Sequence, residues 1–237
     1  MFNSKSKLTH SESIALRIEC EAIAAWCTAN KELPWADTVE QLRLPMTFLG
    51  GGYFGKAYAL HNFPGLVVKL CRDKNDLYPE FARRVHSGKS KAACLPRVFM
   101  VGGDELDGGT FWCVLPKYTT IREKQWNGEQ GLYNVVTSLT TTAMQPAMFA
   151  DFDWYSGGIR RIRADRGLSK KQRREVRVLR DVLAPIAKYS SFGLDIHIGN
   201  VMLDGEQFVI TDPLPGMDSW EHDVKETKYA LRANLKR

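Results

Sequence analysis

Two short apolar runs near the C-terminal end of the sequence, at 201–203 and 208–210, predict a β-hairpin. An Asp-Gly pair at 204–205 joins them, and this pair is typical of a two-residue hairpin turn. Asn200 directly precedes the first run, and Asp212 follows the second. Because a hairpin returns the chain to the end from which it started, Asn200 and Asp212 are expected to meet. Their oxygen atoms are ligands of the kind that Mg²⁺ prefers.

Two further charged residues stand in unusual positions. Asp195 precedes Asn200 by five residues, in the segment that leads into the hairpin. Lys69 lies inside the apolar run 66–70, where a buried ammonium group is costly unless it has a partner. The alternative for Lys69 is an edge strand from which its side chain faces solvent.

A glycine-rich loop separates the first two strand-like runs. Glycine allows backbone N–H groups to come close to phosphate oxygens, so the loop is a candidate phosphate cover. It is not a P-loop, because no Gly-Lys-Ser/Thr sequence opens a helix there. Taken alone, the loop is better explained as a plain β-turn. Its candidate residues are Gly50, Gly51, Gly52, Tyr53, Phe54 and Gly55.

The hydrophobic pattern predicts the secondary structure around these motifs. An amphipathic helix should begin after Thr9, since Thr9 and Glu12 have capping-box spacing, and end near Asn30. Five short strands should follow, with one helix after the third. The predicted strands are 46–49, 57–60, 66–70, 97–101 and 111–115, and the helix is 77–85.

Beyond Pro116 the pattern becomes mainly helical. Helices are predicted over 129–144 and 169–189, and the tail 220–235 also has a helical pattern. We therefore expect three parts: an N-terminal helical extension at 1–45, a strand-rich lobe at 46–116 and a mainly helical lobe at 117–237.

The motifs together resemble a known group of phosphotransferases. Residues 195–200 resemble the catalytic loop of eukaryotic-like kinases, and their Asp-x-His-x-x-Asn form resembles that of aminoglycoside phosphotransferases. Over 46–213 the chain is similar to the early serine/threonine protein kinases of short-tailed bacteriophages of the autographivirus group. The stretches that carry this resemblance are 49–58, 67–69, 191–202 and 210–213.

The resemblance implies both a fold and a reaction. The fold is an α+β, bilobal protein-kinase-like fold, with an antiparallel five-stranded N-terminal lobe and a reduced, mainly helical C-terminal lobe. The reaction is phosphoryl transfer from ATP with Mg²⁺, or with Mn²⁺ as the alternative ion. Asp195 is then the catalytic group that orients the hydroxyl, Lys69 holds the ATP phosphates, and Asn200 and Asp212 bind the metal.

Further ATP contacts follow from position in the implied fold. Lys69 is expected to pair with an acid of the helix after the third strand, for which Glu80 is the first candidate and Asp76 the alternative. The strand 111–115 should lead into the hinge, which places Leu115 and Lys117 next to the adenine.

Basic residues are concentrated between 160 and 180. Ten basic residues there stand against two acidic ones, whereas the whole chain carries a net charge of +6. A solvated helix face is the usual explanation, but this excess favours an acidic partner, with nucleic acid as the alternative. The candidate docking residues are Arg160, Arg161, Arg163, Lys170, Lys171, Arg173, Arg174 and Arg177.

Composition narrows the location and the partners. The five cysteines form no CxxC pair, which argues against a zinc site and a disulfide framework and favours the cytoplasm. The resemblance implies that this is the cytoplasm of a bacterial host. No apolar run approaches the roughly 20 residues of a membrane span, and the N-terminal segment 1–10 lacks the apolar core of a signal peptide.

The resemblance also implies substrates, and two other functions stay open. The implied substrates are host proteins, namely RNA polymerase or RNA-processing enzymes, together with autophosphorylation. One alternative is a small-molecule phosphotransferase of the aminoglycoside type. The other is a non-enzymatic kinase-like module that binds a host protein or nucleic acid.

Overall fold

The computed structural model describes eight segments of the chain. They are residues 8–33, 45–52, 55–88, 92–122, 170–190, 194–195, 197–217 and 223–235, and within them the side chains of 171–173 are not described. The helix predicted over 129–144 lies outside the described residues.

Helix α1, His10–Ala29, begins where the sequence predicts. The hydroxyl oxygen of Thr9 accepts a hydrogen bond from the backbone N–H of Glu12, and the Glu12 carboxylate accepts one from the backbone N–H of Thr9. This reciprocal capping box satisfies two N–H groups that a helix start otherwise leaves without partners, so the prediction is confirmed.

The described residues form a five-stranded antiparallel sheet in the order β1-β2-β3-β5-β4, as expected. At one edge, the register of β1 slips between Phe48 and Gly50. At the other edge, β4 has only three residues and is shorter than predicted. The strands are β1 Met46–Gly51, β2 Gly55–Leu60, β3 Leu66–Cys71, β4 Met100–Gly102 and β5 Phe111–Pro116.

Apolar side chains cover both faces of this sheet. Side chains of β3 and β5 alternate, so that Val68 and Val114 pack with α1, whereas Cys113 packs on the other side. That other side is covered by helix α2, Tyr78–His86, and helix α3, Lys170–Ala187. Each fully buried Val or Leu contributes about 2 kcal/mol relative to an exposed one. Burial on both sides explains why β5 is an unbroken apolar run.

A second, three-stranded sheet contains the predicted hairpin. A 3₁₀ turn, Ile198–Asn200, leads into β7, Val201–Asp204, and β8, Gln207–Ile210, follows. Gly205 adopts φ 63° in the turn, a left-handed conformation that favours glycine. A further strand, β6, Thr119–Thr120, pairs with β7 and was not predicted.

Two contacts between distant segments complete the fold. The carboxylate of Glu175 on α3 accepts hydrogen bonds from the backbone N–H groups of Ala93 and Cys94, both at 3.3 Å. Helix α4, Val224–Ala233, packs against α2, so part of the predicted C-terminal lobe contacts the predicted N-terminal lobe. The lobe boundaries stay a prediction. Among the described residues, no helix combines the length and the apolar character needed to cross a membrane.

Candidate active site

Lys69 and Asp212, 143 residues apart in the chain, meet in a partly buried contact. Lys69 lies on β3, a central strand of the five-stranded sheet, and Asp212 follows β8. The Nζ atom of Lys69 is 2.5 Å from Oδ2 of Asp212. The lysine is therefore not an edge-strand residue facing solvent, and its charge has a carboxylate partner.

The hairpin brings Asn200 and Asp212 together, as the sequence indicates. The backbone carbonyl of Asn200 accepts hydrogen bonds from the N–H groups of Thr211, at 2.8 Å, and of Asp212, at 3.3 Å. The Thr211 hydroxyl donates to the same carbonyl at 3.0 Å. These bonds hold the two ends of the hairpin side by side, so a carboxamide and a carboxylate are available at one place.

Asp195 lies beside the same pair of residues. The side-chain amide of Asn200 donates to the backbone carbonyl of Asp195 at 2.8 Å and to its Oδ2 at 3.0 Å. The Asp195 N–H donates to the carbonyl of Pro213 at 2.9 Å. Asp195, Asn200 and Asp212 are thus linked by hydrogen bonds, and the Asp195 carboxylate is about half exposed, which leaves it accessible to a substrate.

His197 has a local structural contact. Its Nδ1 accepts a hydrogen bond from the backbone N–H of Gly199 at 3.1 Å and so caps the 3₁₀ turn. A side chain at Gly199 would collide with this ring, since an added Cβ would lie 2.8 Å from Cε1 of His197. The histidine and the glycine of the motif therefore shape the loop that carries Asp195 and Asn200.

Two carboxylates influence the charge of Lys69. Burial by itself lowers the pKa of Lys69, but Asp212, Cys71 and Asp76 together outweigh that effect, so the pKa is raised above its usual value and the amine stays protonated. Burial, followed by the charge of Asp212, raises the pKa of Asp76 to about 6, whereas Lys69 opposes this rise.

Tyr78 is a neighbour of Lys69 that the sequence analysis missed. The Nζ of Lys69 lies 3.4 Å from the centroid of the Tyr78 ring, a cation–π contact. The hydroxyl of Tyr78 is 3.3 Å from the sulfur of Cys113, the residue paired with Lys69 across β3 and β5. An aromatic residue at the start of the helix after β3 is the only sequence signal for this contact.

The expected pairing of Glu80 with Lys69 is wrong. Glu80 is fully buried, and its Oε1 accepts hydrogen bonds from Arg83 at 3.0 Å and from Arg232 at 2.7 Å. Asp212 occupies the position beside the lysine instead. A fully buried carboxylate needs cationic partners, and helix α4 supplies one from the far end of the chain.

Helix α4 also supplies a lysine to this region. Lys228 is fully buried and donates to the Glu105 carboxylate at 2.9 Å and to the backbone carbonyl of Asp76 at 2.6 Å. Arg232 contacts Glu105 as well, at 2.7 Å, and Asp104 at 3.0 Å. We call Lys228, Arg232, Glu80 and Glu105 the α4 ion network.

The glycine-rich loop joins the paired strands β1 and β2. The Gly52 N–H donates to the Gly55 carbonyl at 3.1 Å, and the Lys56 ammonium donates to the Gly52 carbonyl at 2.6 Å. A Cβ at Gly55 would lie 3.1 Å from Cε of Lys69, so glycine allows β2 to approach the lysine closely. Tyr53 and Phe54 lie outside the described residues, and a role of this loop in covering phosphates stays a prediction.

The remaining candidate residues are those expected at the adenine and at an acidic partner. Leu115 is buried on β5, and Lys117 is exposed just beyond it, so their role at an adenine stays a prediction. Lys170, Arg174 and Arg177 are exposed on α3. Outside the described side chains lie the other docking candidates, Arg160, Arg161, Arg163, Lys171 and Arg173.

The donor set suits a magnesium ion bound together with phosphate. Asn200 and Asp212 offer hard oxygen atoms at one place, and Mg²⁺ is usually held by one or two such side chains plus phosphate oxygens and water. Among the described residues, no group of three His, Cys, Asp or Glu side chains could hold a metal by itself. Asn200 and Asp212 would therefore hold Mg²⁺ together with phosphate oxygens and water.

Comparison with solved structures shows distant structural likenesses. No family model matches the chain, and no curated protein matches it. Among solved structures, the chain is similar to the MAP kinase LmaMPK10 from Leishmania major, with a TM-score of 0.33 and 11% sequence identity. The match covers 75% of this chain and 48% of the kinase, so the chain spans about half of the matched protein. A likeness this distant assigns neither activity nor substrate.

Proposed function

We propose that this chain transfers the γ-phosphoryl group of ATP to a hydroxyl group, as protein kinases do. The observation that carries the proposal is the contact between Lys69 and Asp212 beside the loop that holds Asp195 and Asn200. An ammonium, two carboxylates and a carboxamide from separate segments share one region of the molecule. Phosphoryl transfer needs such a set, because its catalysis consists mainly of positioning and charge neutralisation.

Each residue has a role in this proposal. Lys69, kept protonated by its acidic neighbours, neutralises phosphate oxygens of ATP. Asp195 accepts a hydrogen bond from the attacking hydroxyl and receives its proton. Asn200 holds Asp195 through its amide donor and, together with Asp212, provides the oxygen atoms for Mg²⁺. The ion, when bound, supplies the charge that offsets the phosphates.

The finer assignment rests on the resemblance of the motifs. We propose that the chain is a serine/threonine protein kinase of the kind that short-tailed phages make early in infection, and that it acts in the bacterial cytoplasm. Its N-terminal lobe would begin near residue 46 and its C-terminal lobe near residue 117. Its substrates would be host proteins of transcription or RNA processing. The exposed basic residues Lys170, Arg174 and Arg177 on α3 would contact an acidic region of those substrates.

Radiolabelled ATP tests the reaction directly. The full chain is incubated with labelled ATP, Mg²⁺ and a bacterial lysate, beside the variants Asp195→Asn and Asp212→Asn and the control Asp107→Asn. Asp107 is exposed and pairs with the exposed Lys225, and neither residue belongs to the proposed site. We expect protein labelling by the wild type and the control, and its loss in both site variants without unfolding.

The same assay separates the alternatives. Labelling of kanamycin instead of protein would favour the small-molecule phosphotransferase. Nucleotide or host-protein binding without any transfer would favour the non-enzymatic module. Full transfer by Asp195→Asn or Asp212→Asn would refute the proposed roles. Phosphopeptide mapping in bacteria that express the wild type or Asp195→Asn then identifies the host targets.

A further inference from the structure

We propose that Asp76, rather than Glu80, is the positioning acid for Lys69 and keeps its ammonium in place when Asp212 binds the metal. This inference rests on the proposed function and names a residue that it leaves without a role. Asp76 stands before helix α2, which begins at Tyr78, and its side chain is almost completely buried.

Asp76 and Lys69 have neighbouring residues in common. Oδ1 of Asp76 accepts a hydrogen bond from the backbone N–H of Tyr78 at 2.8 Å, and the ring of Tyr78 lies against the Lys69 ammonium. Cys71, two residues after Lys69 on β3, is near enough to Asp76 to influence its pKa. Tyr78 therefore contacts both residues, and Asp76 is among the charges that raise the pKa of Lys69, so a second carboxylate acts on the ammonium.

Contacts with two later segments of the chain hold the backbone around Asp76. Lys228 donates to the Asp76 carbonyl at 2.6 Å, and Met217 donates through its N–H to the Asn75 carbonyl at 2.7 Å. Asp76 also forms an isolated β-bridge with Gly216. These contacts come from two segments, 216–217 and helix α4, and they hold the backbone that carries the Asp76 side chain.

Lys69 needs a second acidic neighbour if its ion-pair partner, Asp212, also binds Mg²⁺. Asp212 pairs with Lys69 in the structure, yet it is also the carboxylate expected to hold Mg²⁺. A carboxylate shared with a divalent ion attracts a neighbouring ammonium less strongly, because part of its charge is already neutralised. Asp76 then supplies the negative charge that keeps Lys69 aimed at the phosphates. Glu80, bonded to Arg83 and Arg232, serves the α4 ion network.

The test compares two buried carboxylates. Asp76→Asn removes the charge but keeps an oxygen for the Tyr78 N–H, whereas Glu105→Gln removes an equally buried charge from the α4 ion network. The affinity of a non-hydrolysable ATP analogue is measured by calorimetry with Mg²⁺ and with EDTA. For Asp76→Asn we expect about tenfold weaker binding with Mg²⁺ and a change within about twofold in EDTA, where Asp212 still holds Lys69. Glu105→Gln should lower the melting temperature and leave both affinities unchanged.

A double-mutant cycle with Lys69→Met shows whether the effect passes through the lysine. In the Lys69→Met background, Asp76→Asn should cause no further loss of affinity. A similar loss in both backgrounds, or failure of Asp76→Asn to fold in both, would make Asp76 merely structural and overturn the inference. If Asp76→Asn bound the analogue with wild-type affinity in Mg²⁺, the role of Asp76 would be contradicted and the proposed function would stand. If the wild type bound no nucleotide, both the role of Asp76 and the proposed function would be contradicted.

Discussion

Two lysine–carboxylate pairs join distant parts of this chain, and they differ in their access to water. The side chains of Lys228 and Glu105 are both 0% exposed, whereas those of Lys69 and Asp212 are 12% and 30% exposed. Each pair connects segments more than a hundred residues apart. Both pairs thus connect distant segments, but separating the two charges costs more free energy in the Lys228–Glu105 pair, which water does not reach.

The difference in access to water matches the different roles that we propose for the two pairs, stabilisation for Lys228–Glu105 and phosphoryl transfer for Lys69–Asp212. Inside the protein, a charge that loses its partner cannot be stabilised by water, so the Lys228–Glu105 pair must stay closed. Asp212 is partly solvated and can exchange Lys69 for another cation at a smaller cost. In the proposed reaction, Asp212 would exchange Lys69 for Mg²⁺ in this way, while the Lys228–Glu105 pair stays closed.

The same substitution at each lysine should expose this difference. Lys69→Met is expected to lower phosphoryl transfer by about 10²- to 10³-fold, because the charge facing the phosphates is lost. The free energy of unfolding should change by about 1 kcal/mol or less, since an apolar side chain also avoids the desolvation cost of the ammonium. Initial rates with labelled ATP and urea unfolding measure the two effects. Wild-type activity would contradict the proposed role of Lys69.

Lys228→Met should have the opposite result. Removing the buried ammonium leaves Glu105 with Arg232 and the more distant Arg83, and it leaves the Asp76 carbonyl without its donor. We expect a loss of about 3 kcal/mol in the free energy of unfolding. Urea titration measures this loss. An unchanged midpoint would show that the α4 ion network does not stabilise the fold.

Acid should weaken the α4 ion network. Burial alone raises the pKa of Glu105, but Lys228, Arg83 and Arg232 outweigh it, so the pKa lies below its usual value. A carboxylate with a depressed folded-state pKa stabilises the protein above its unfolded pKa, and this contribution disappears as the pH falls through the folded pKa. The urea midpoint of the wild type should fall more steeply between about pH 5 and pH 3 than that of Glu105→Gln. Parallel curves would contradict this.

A third lysine offers the smallest expected effect. Lys225 contacts Asp107 at 2.6 Å, but both side chains are more than half exposed. Water and salt screen such a pair, so Lys225→Met should leave both the urea midpoint and the transfer rate unchanged within error. A clear loss of stability would mean that exposure alone does not separate these three pairs.

Local patterns in the sequence were enough to predict much of the fold. The capping box at Thr9, the five apolar runs of the sheet and the Asp-Gly turn at 204–205 each depend on neighbouring residues, and each is found in the structure. The meeting of Asn200 with Asp212 follows from the hairpin alone. Strand β6 was missed because its two exposed threonines are too few to form a pattern.

The choice between the two acids near Lys69 could not be made from the sequence. Asp76 and Glu80 are four residues apart and would share one face of a helix that contained both. Because α2 begins at Tyr78, Asp76 lies outside the helix and the two carboxylates have different surroundings. The partner of Glu80 is Arg232, 152 residues later, and no local pattern links two such positions.

The two edges of the five-stranded sheet affect how the protein behaves at high concentration. A long, flat edge strand exposes unpaired backbone groups on which a strand of another chain can assemble. Here one edge is only three residues long, and the other is interrupted by the irregularity between Phe48 and Gly50. Both edges are thus poor templates for intermolecular strand pairing, which protects a sheet of strongly apolar strands against aggregation.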